Sequence, residues 1–163
     1  MTISTSALQQ KNAKHLIQSF SDLSYTNNPE ETKIISQADG VYIYDNDGKK
    51  ILDGMSGLWC VNMGYGQKSI IEAVNEQMKE LVYYNNFFGT SHPSAIKLSE
   101  MISEKTPKAM NKVYFCGSGS EANDTVVRLA RHYWAAKGKP TKSVIISRKN
   151  AYHGSTMAGA SLG

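Results

Sequence analysis

Gly117-Ser-Gly-Ser-Glu-Ala-Asn123 holds the residue types best suited to chemistry in this 163-residue chain. Small residues let the backbone approach an anion closely, and the free N–H groups of a helix start then point at it. Phosphate is the commonest biological ligand for such a turn, so the stretch predicts a phosphorylated ligand. A plainer reading is that the turn holds Gly and Ser only because it is tight, and Glu121 beside a phosphate is unfavourable unless its side chain points away. A third reading comes from Gly117, Gly119 and Ala122, which satisfy the dinucleotide fingerprint G-x-G-x-x-A. Arg148 and Lys149 stand where an acid is expected to hold the ribose, a change that an NADP site tolerates. There is no P-loop lysine, because Gly119 is followed by Ser120 and Glu121.

The elements around the turn must position it. Val113, Tyr114, Phe115 and Cys116 form a short apolar run before it, read as a strand. After it Ala122, Val126, Leu129, Ala130, Tyr133 and Trp134 recur at helical spacing. Ser118 or Ser120 can cap this helix, Glu121 and Asp124 suit its positive end, and Asp124 and Arg128 form an i, i+4 pair. Gly138 and Pro140 end it, and Ser143 to Ser147 reads as a second, buried strand. Strand, turn, helix and strand make the unit of a parallel α/β sheet. Ala151-Tyr-His-Gly154 then follows the second strand, where such sheets place ligand residues.

Composition narrows the function classes. Hydrophobic residues at 40% and charged residues at 20% are globular values, and the net charge of +4 is scattered rather than gathered into a nucleic-acid arm. No segment approaches the ~18 apolar residues of a membrane span, and residues 1–10 lack a signal-peptide core. Cys60 and Cys116 have no metal-ligand spacing and predict reduced, buried thiols. These features predict a soluble, cytoplasmic protein with no nucleic-acid or membrane partner and no metal.

Residues 1 to about 12 are polar and predict a frayed end, and Leu16, Ile17, Phe20 and Leu23 a short apolar-faced helix or turn. Gly40 to Asp45, Asn46-Asp-Gly48 and Lys49 to Asp53 predict a β-hairpin, since Asp-Gly tolerates the positive φ of such turns. Gly54 to Gly66 reads as a glycine-rich loop carrying Trp59, Cys60 and Tyr65. Helices are predicted from about Lys68 to Tyr83 and from Pro93, with the aromatic loop Tyr84 to His92 between them. His15, His92 and His132 are read as structural. Two parallel strands cannot make a sheet buried on both faces, so the pattern predicts the first part of a larger protein.

Four stretches in register, Gly54-Met-Ser-Gly-Leu-Trp-Cys-Val-Asn-Met-Gly-Tyr-Gly66, Tyr84-Asn-Asn-Phe-Phe-Gly-Thr-Ser-His-Pro93, Phe115-Cys-Gly-Ser-Gly-Ser-Glu-Ala-Asn-Asp124 and Tyr152-His-Gly154, resemble the class III aminotransferases that use pyridoxal 5′-phosphate. Within them the likeness is to ω-transaminases that pair β-alanine, putrescine or simple amines with pyruvate, and it covers roughly residues 14–163. Gly117 departs from a pattern that often has Asn or Ser there. The resemblance implies an α/β chain forming the N-terminal part of the type I aminotransferase fold. Residues 1–55 would be an N-terminal segment and small-domain hairpin, and 56–163 the start of the mainly parallel large domain of a homodimer.

The resemblance also implies site residues. Ser118, Gly119 and Ser120 would hold the cofactor phosphate, Tyr152 would stack on its ring, and His153 would lie beside it. Leu58 and Trp59 would wall the substrate pocket, with Phe87 and Phe88 lining an edge that belongs to the partner subunit's site. The ligands implied are an amine and a keto acid. Transamination also needs a Schiff-base lysine and a carboxylate against the pyridine nitrogen. In the family both lie beyond the matched region, so the resemblance places no catalytic residue in this chain and implies no turnover by it alone; besides the NADP-binding reading, a non-catalytic remnant is the other alternative.

Overall fold

A computed structural model describes residues 3–163, so that Met1 and Thr2, the first residues of the expected frayed end, lie outside the described residues. The chain divides into two units, Met1–Tyr84 and Asn85–Gly163, and each is described by itself.

In the first unit the expected fray is instead a helix, α1 (Thr5–His15), capped by Ser4, whose hydroxyl accepts from Ala7 N at 3.3 Å. Polar bonds tie it down, since Gln9 Nε2 donates to Thr32 O at 2.9 Å and Asn12 Nδ2 to Thr32 Oγ1 at 3.2 Å. The absence of an apolar stripe hid it from a periodicity argument. The stretch 16–23, read as a short helix or turn, has a turn at residues 19–20, and the short helix α2 (Leu23–Thr26) begins only at its last residue.

Strands β1 (Ile35–Asp39), β2 (Tyr42–Asp45) and β3 (Lys50–Leu52) form an antiparallel sheet in the order β1-β2-β3. The β2–β3 hairpin is the predicted one, with Tyr42 opposite Leu52 and Tyr44 opposite Lys50. Asp45 Oδ1 accepts from Asp47 N at 3.1 Å and Lys49 N at 2.8 Å, while Gly48 takes φ +84°. That is the side-chain turn chemistry of an Asp at the first position of a turn. Gly40 pairs with Tyr65 through N–H···O bonds of 3.2 and 2.7 Å, which fastens the loop ahead of α4 (Lys68–Glu80) to the sheet. Between them lies a single turn, α3 (Ser56–Trp59).

The second unit holds α5 (Pro93–Ser103), α6 (Gly119–Ala136) and α7 (Met157–Ser161). Pro93 opens α5 as predicted, and His92 caps it by accepting from Ala95 N through Nδ1 at 3.4 Å, a structural role for that histidine. Gly138 at φ +72° closes α6, with Gly138 N donating to Ala135 O and Lys139 N to Trp134 O, which is a Schellman motif.

The expected parallel strands and buried thiols are not found among the described residues. Segments 113–116 and 143–147 form no β-ladder, and the only sheet among the described residues is the antiparallel one. A strand needs a neighbour to receive its backbone bonds, and neither segment has one. No hydrophobic side chain is buried among the described residues, and Val144 and Ile146 are 83% and 92% exposed. Cys60 and Cys116 are likewise exposed rather than buried, because Cys116 ends one of these uncovered segments and Cys60 follows α3.

Candidate functional site

The turn before α6 is built by reciprocal capping. Ser118, extended at φ −157° and ψ 162°, accepts from Glu121 N through Oγ at 3.2 Å. Glu121 Oε2 in return accepts from Gly117 N at 2.7 Å, one residue ahead of the usual capping-box partner. The carboxylate is thus folded back on Gly117, where a Cβ would meet Oε2 at 2.9 Å. Gly119 and Ser120 start the helix, so their N–H groups have no intrahelical acceptor. A Cβ placed on Gly119 would meet nothing within 4 Å, so the space at that position is open.

The Tyr152-His153-Gly154 loop is latched to this same turn. Ser155 N donates to Ser120 Oγ at 3.0 Å, and Asn123 Nδ2 donates to His153 O at 2.6 Å. Gly154, buried at φ +130°, lies so close that a Cβ would meet Ser120 Oγ at 2.8 Å and Ser120 Cα at 2.9 Å. Ser118, Gly119, Ser120, Tyr152 and His153 therefore belong to one local assembly. The carbonyl of His153 is satisfied, but its ring Nε2 is buried with no hydrogen-bond partner among the described residues.

Asn123, Asp124, Gly154 and Thr156 make this assembly, and sequence reasoning did not single them out as site residues. Asp124 was expected to pair with Arg128; no such ion pair forms among the described residues. Its carboxylate instead accepts from Thr156 Oγ1 at 2.7 Å, Gly159 N at 2.8 Å and Ala158 N at 3.4 Å. Thr156, the residue before α7, makes no side-chain cap itself, so Asp124 caps α7 from a different helix. Asp124 also lies beyond the first turn of α6, where Glu121 is the sole acidic residue. The one available signal was the spacing of Ser120, Asn123 and Asp124, which puts all three on one face of the helix.

The bond from Thr156, then the amide of Gly159, holds the Asp124 carboxyl below the ordinary aspartate range. A carboxylate depressed in the folded state adds stability above its unfolded pKa and loses it as pH falls through the folded value. The latch is expected to weaken progressively below about pH 4, starting from the unfolded value near ~3.9. Thermal unfolding followed from pH 7 to pH 2 checks this: the Asp124→Asn chain should lack part of the acid-dependent loss, and an identical profile for both chains would count against it.

In the first unit, Leu58 and Trp59 sit on α3, where φ is positive at four successive residues, Ser56 (49°), Gly57 (57°), Leu58 (63°) and Trp59 (63°). The turn is left-handed, a conformation that costs L-residues roughly 1–2 kcal/mol each. Asp53 holds it in place: Oδ1 accepts from Met55 N at 3.1 Å, and Oδ2 from Gly57 N at 2.8 Å and Tyr65 Oη at 2.7 Å. The Tyr65 bond, then the Gly57 amide, lowers the Asp53 pKa, while the same bond raises that of Tyr65. Strain maintained in this way is characteristic of functional positions, and Trp59 is 77% exposed. Phe88 in the second unit is also left-handed, at φ 55°, and fully exposed beside Phe87. Among the described residues no cluster could hold a metal ion, and no helix is long and apolar enough to cross a membrane.

The turn capped by Ser118 and the Tyr152-His153-Gly154 loop latched to it at Ser120 lie in a chain of mixed α/β structure. Comparison with known proteins supplies the family. The profile of the class-III aminotransferases matches residues 25–163. A putrescine–pyruvate aminotransferase of Pseudomonas aeruginosa is 57% identical over 136 residues, 83% of this chain and 30% of that protein. The crystal structure of a transaminase from the marine bacterium Virgibacillus superposes with a TM-score of 0.91 at 41% identity, over 96% of this chain and 35% of that one. An ω-transaminase of Pseudomonas jessenii, solved in complex with PMP, gives 0.90 at 38% identity, over 95% and 34%. The chain belongs to the class III aminotransferases, a family that uses pyridoxal phosphate. It spans about a third of the length of the relatives it matches.

Proposed function

We propose that this chain supplies the phosphate-anchoring part of the pyridoxal 5′-phosphate site of an amine:pyruvate-type aminotransferase. The observation that carries the reading is the 3.0 Å bond from Ser155 N to Ser120 Oγ, which keeps the Tyr152 loop on the anion-binding turn. The 57% identity to a putrescine–pyruvate aminotransferase supports an amine donor and pyruvate acceptor.

The residues fit the cofactor. A Cβ on Gly119 at the helix start would meet nothing within 4 Å, Glu121 is drawn back on Gly117, and the buried Nε2 of His153 has no partner among the described residues. Ser118 and Ser120 use their oxygens as acceptors and keep their hydroxyl protons to donate to phosphate oxygens. Tyr152, 67% exposed, offers the ring a flat apolar face. Pyridoxal phosphate, when bound, supplies the electron-withdrawing pyridine ring through which an amino group moves between an amine and a keto acid. This chain's residues anchor the phosphate and orient the ring; the family resemblance gives Leu58 and Trp59 as a substrate-pocket wall and Phe87 and Phe88 as an edge of the partner subunit's pocket in a homodimer. Residues 1–55 act as the small-domain portion and 56–163 as the start of the large domain. The bare segments 113–116 and 143–147 and the exposed stripe of α6 are the surfaces that the rest of such a fold covers. The Schiff-base lysine comes from outside the matched third, so the chain alone turns nothing over.

Titration with pyridoxamine 5′-phosphate, followed calorimetrically, tests the reading. Saturable binding should be weakened about tenfold by Ser118→Ala or Ser120→Ala, each of which removes a hydrogen bond to a charged group. Preferential binding of NADPH would instead favour the dinucleotide alternative and overturn the assignment.

A further inference from the structure

Three side chains on one face of α6 all bond the segment that carries Tyr152 and His153, and none of the four bonds made by Asn123 and Asp124 is needed for α6 itself. Ser120 takes the amide of Ser155, Asn123 holds the carbonyl of His153 at 2.6 Å, and Asp124 takes the amides of Gly159 and Ala158 at 2.8 and 3.4 Å. Thr156 Oγ1 lies 2.7 Å from Asp124 Oδ1 and 3.1 Å from Ser120 O. It has a single proton, so the shorter contact, to the carboxylate, is the bond.

We infer that Asn123 and Asp124 are positioning residues that set the height and tilt of the Tyr152 ring above the phosphate turn, and so decide how much of the cofactor's affinity comes from its ring. The inference rests on the cofactor reading above and deepens it. The two residues flank the latch. Asn123 fixes the backbone one residue after Tyr152, and Asp124 fixes the start of α7 that closes the loop. Because all the bonded groups on the loop are backbone or the Thr156 hydroxyl, the face reads loop geometry rather than loop sequence. Gly159 completes the fit, since a Cβ there would meet His153 O at 2.8 Å. Losing either side chain frees the loop to move while Ser118 still caps α6 through Glu121 N. A phosphate ion needs only the turn, whereas a pyridine ring needs the turn and the loop together.

The test compares two probes, inorganic phosphate and pyridoxamine 5′-phosphate, on the full chain by calorimetry. Asn123→Ala and Asp124→Ala should each weaken pyridoxamine phosphate about tenfold, the scale of a lost hydrogen bond to an amide or charged group, and leave inorganic phosphate within about twofold. Asp124→Asn, which keeps an acceptor for Gly159 N, should recover most of the loss. Equal weakening of both probes means general unfolding and overturns the inference, as does unchanged pyridoxamine phosphate affinity. A wild-type chain that binds the two probes equally removes the ring contribution, and with it both this inference and the cofactor reading. Hydrogen exchange without ligand gives an independent readout: Asp124→Ala should speed exchange at Ala158 and Gly159 but not in the first turn of α6, and unchanged exchange there shows that no clamp exists.

Discussion

Gly154→Ala is expected to detach the Tyr152 loop from α6 and to reduce pyridoxamine 5′-phosphate affinity by more than about tenfold, a larger effect than loss of any single hydrogen bond in the site. The new methyl would meet Ser120 Oγ at 2.8 Å, Cα at 2.9 Å and Cβ at 3.0 Å. Ser120 is on the first turn of α6, so these are not the far ends of flexible side chains, and the loop has to move instead. Gly154 also holds φ +130°, which L side chains rarely adopt. Overpacking of this kind costs typically about 1–3 kcal/mol, and backbone strain adds a similar amount. Loss of the Ser155–Ser120 and Asn123–His153 bonds follows from the displacement. Calorimetric titration and amide exchange over residues 152–159 read the outcome. A variant that retains wild-type affinity and protection would show that the close approach of Gly154 to Ser120 is not what holds the loop.

Gly57→Ala is expected to unwind the left-handed turn in the first unit and lower the thermal midpoint, with roughly 1–2 kcal/mol from the αL penalty alone. The added carbon would meet Val61 Cγ2 at 2.9 Å and Tyr65 Oη at 3.0 Å. The tyrosine hydroxyl can yield only by leaving Asp53 Oδ2, to which it donates at 2.7 Å. The substitution therefore breaks the restraint that keeps Ser56, Leu58 and Trp59 at positive φ. Spectrophotometric titration detects this directly. Tyr65 ionises above the ordinary tyrosine range because of Asp53, and in the variant that elevated titration should return towards the ordinary value. An unshifted Tyr65 titration together with an unchanged thermal midpoint would refute the account of α3 as a turn pinned by Asp53.

Much of the candidate site was legible because its parts are local. A glycine-serine turn ahead of a periodic apolar stripe predicts a helix start with free amides, and the choice between Ser118 and Ser120 as cap was decided in favour of Ser118 by its bond to Glu121 N. Tyr152 and His153 stood out by their place after an expected strand and by the order of four motifs, but nothing in the sequence brings residues 153–155 beside Ser120 and Asn123. The Ser118-x-x-Glu121 spacing is that of a capping box, and the structure decided that the carboxylate takes the amide of Gly117 rather than that of Ser118.

Sequence by itself determined the elements whose stabilising interactions lie within a few residues of each other. The hairpin follows from Asp47-Gly48 between alternating strands, α5 opens at Pro93, and α6 ends at Gly138 because that residue can take the left-handed closing conformation. Tertiary structure decided whatever depended on a distant partner. Asp124 had Arg128 within helical reach, yet three donors from residues 156–159 took the carboxylate. Three non-glycine residues of α3 took positive φ because Asp53 and Tyr65 hold them there. Segments 113–116 and 143–147 carry strand-like residues but no ladder. Propensity can extend a backbone, and only a neighbouring strand can receive its hydrogen bonds.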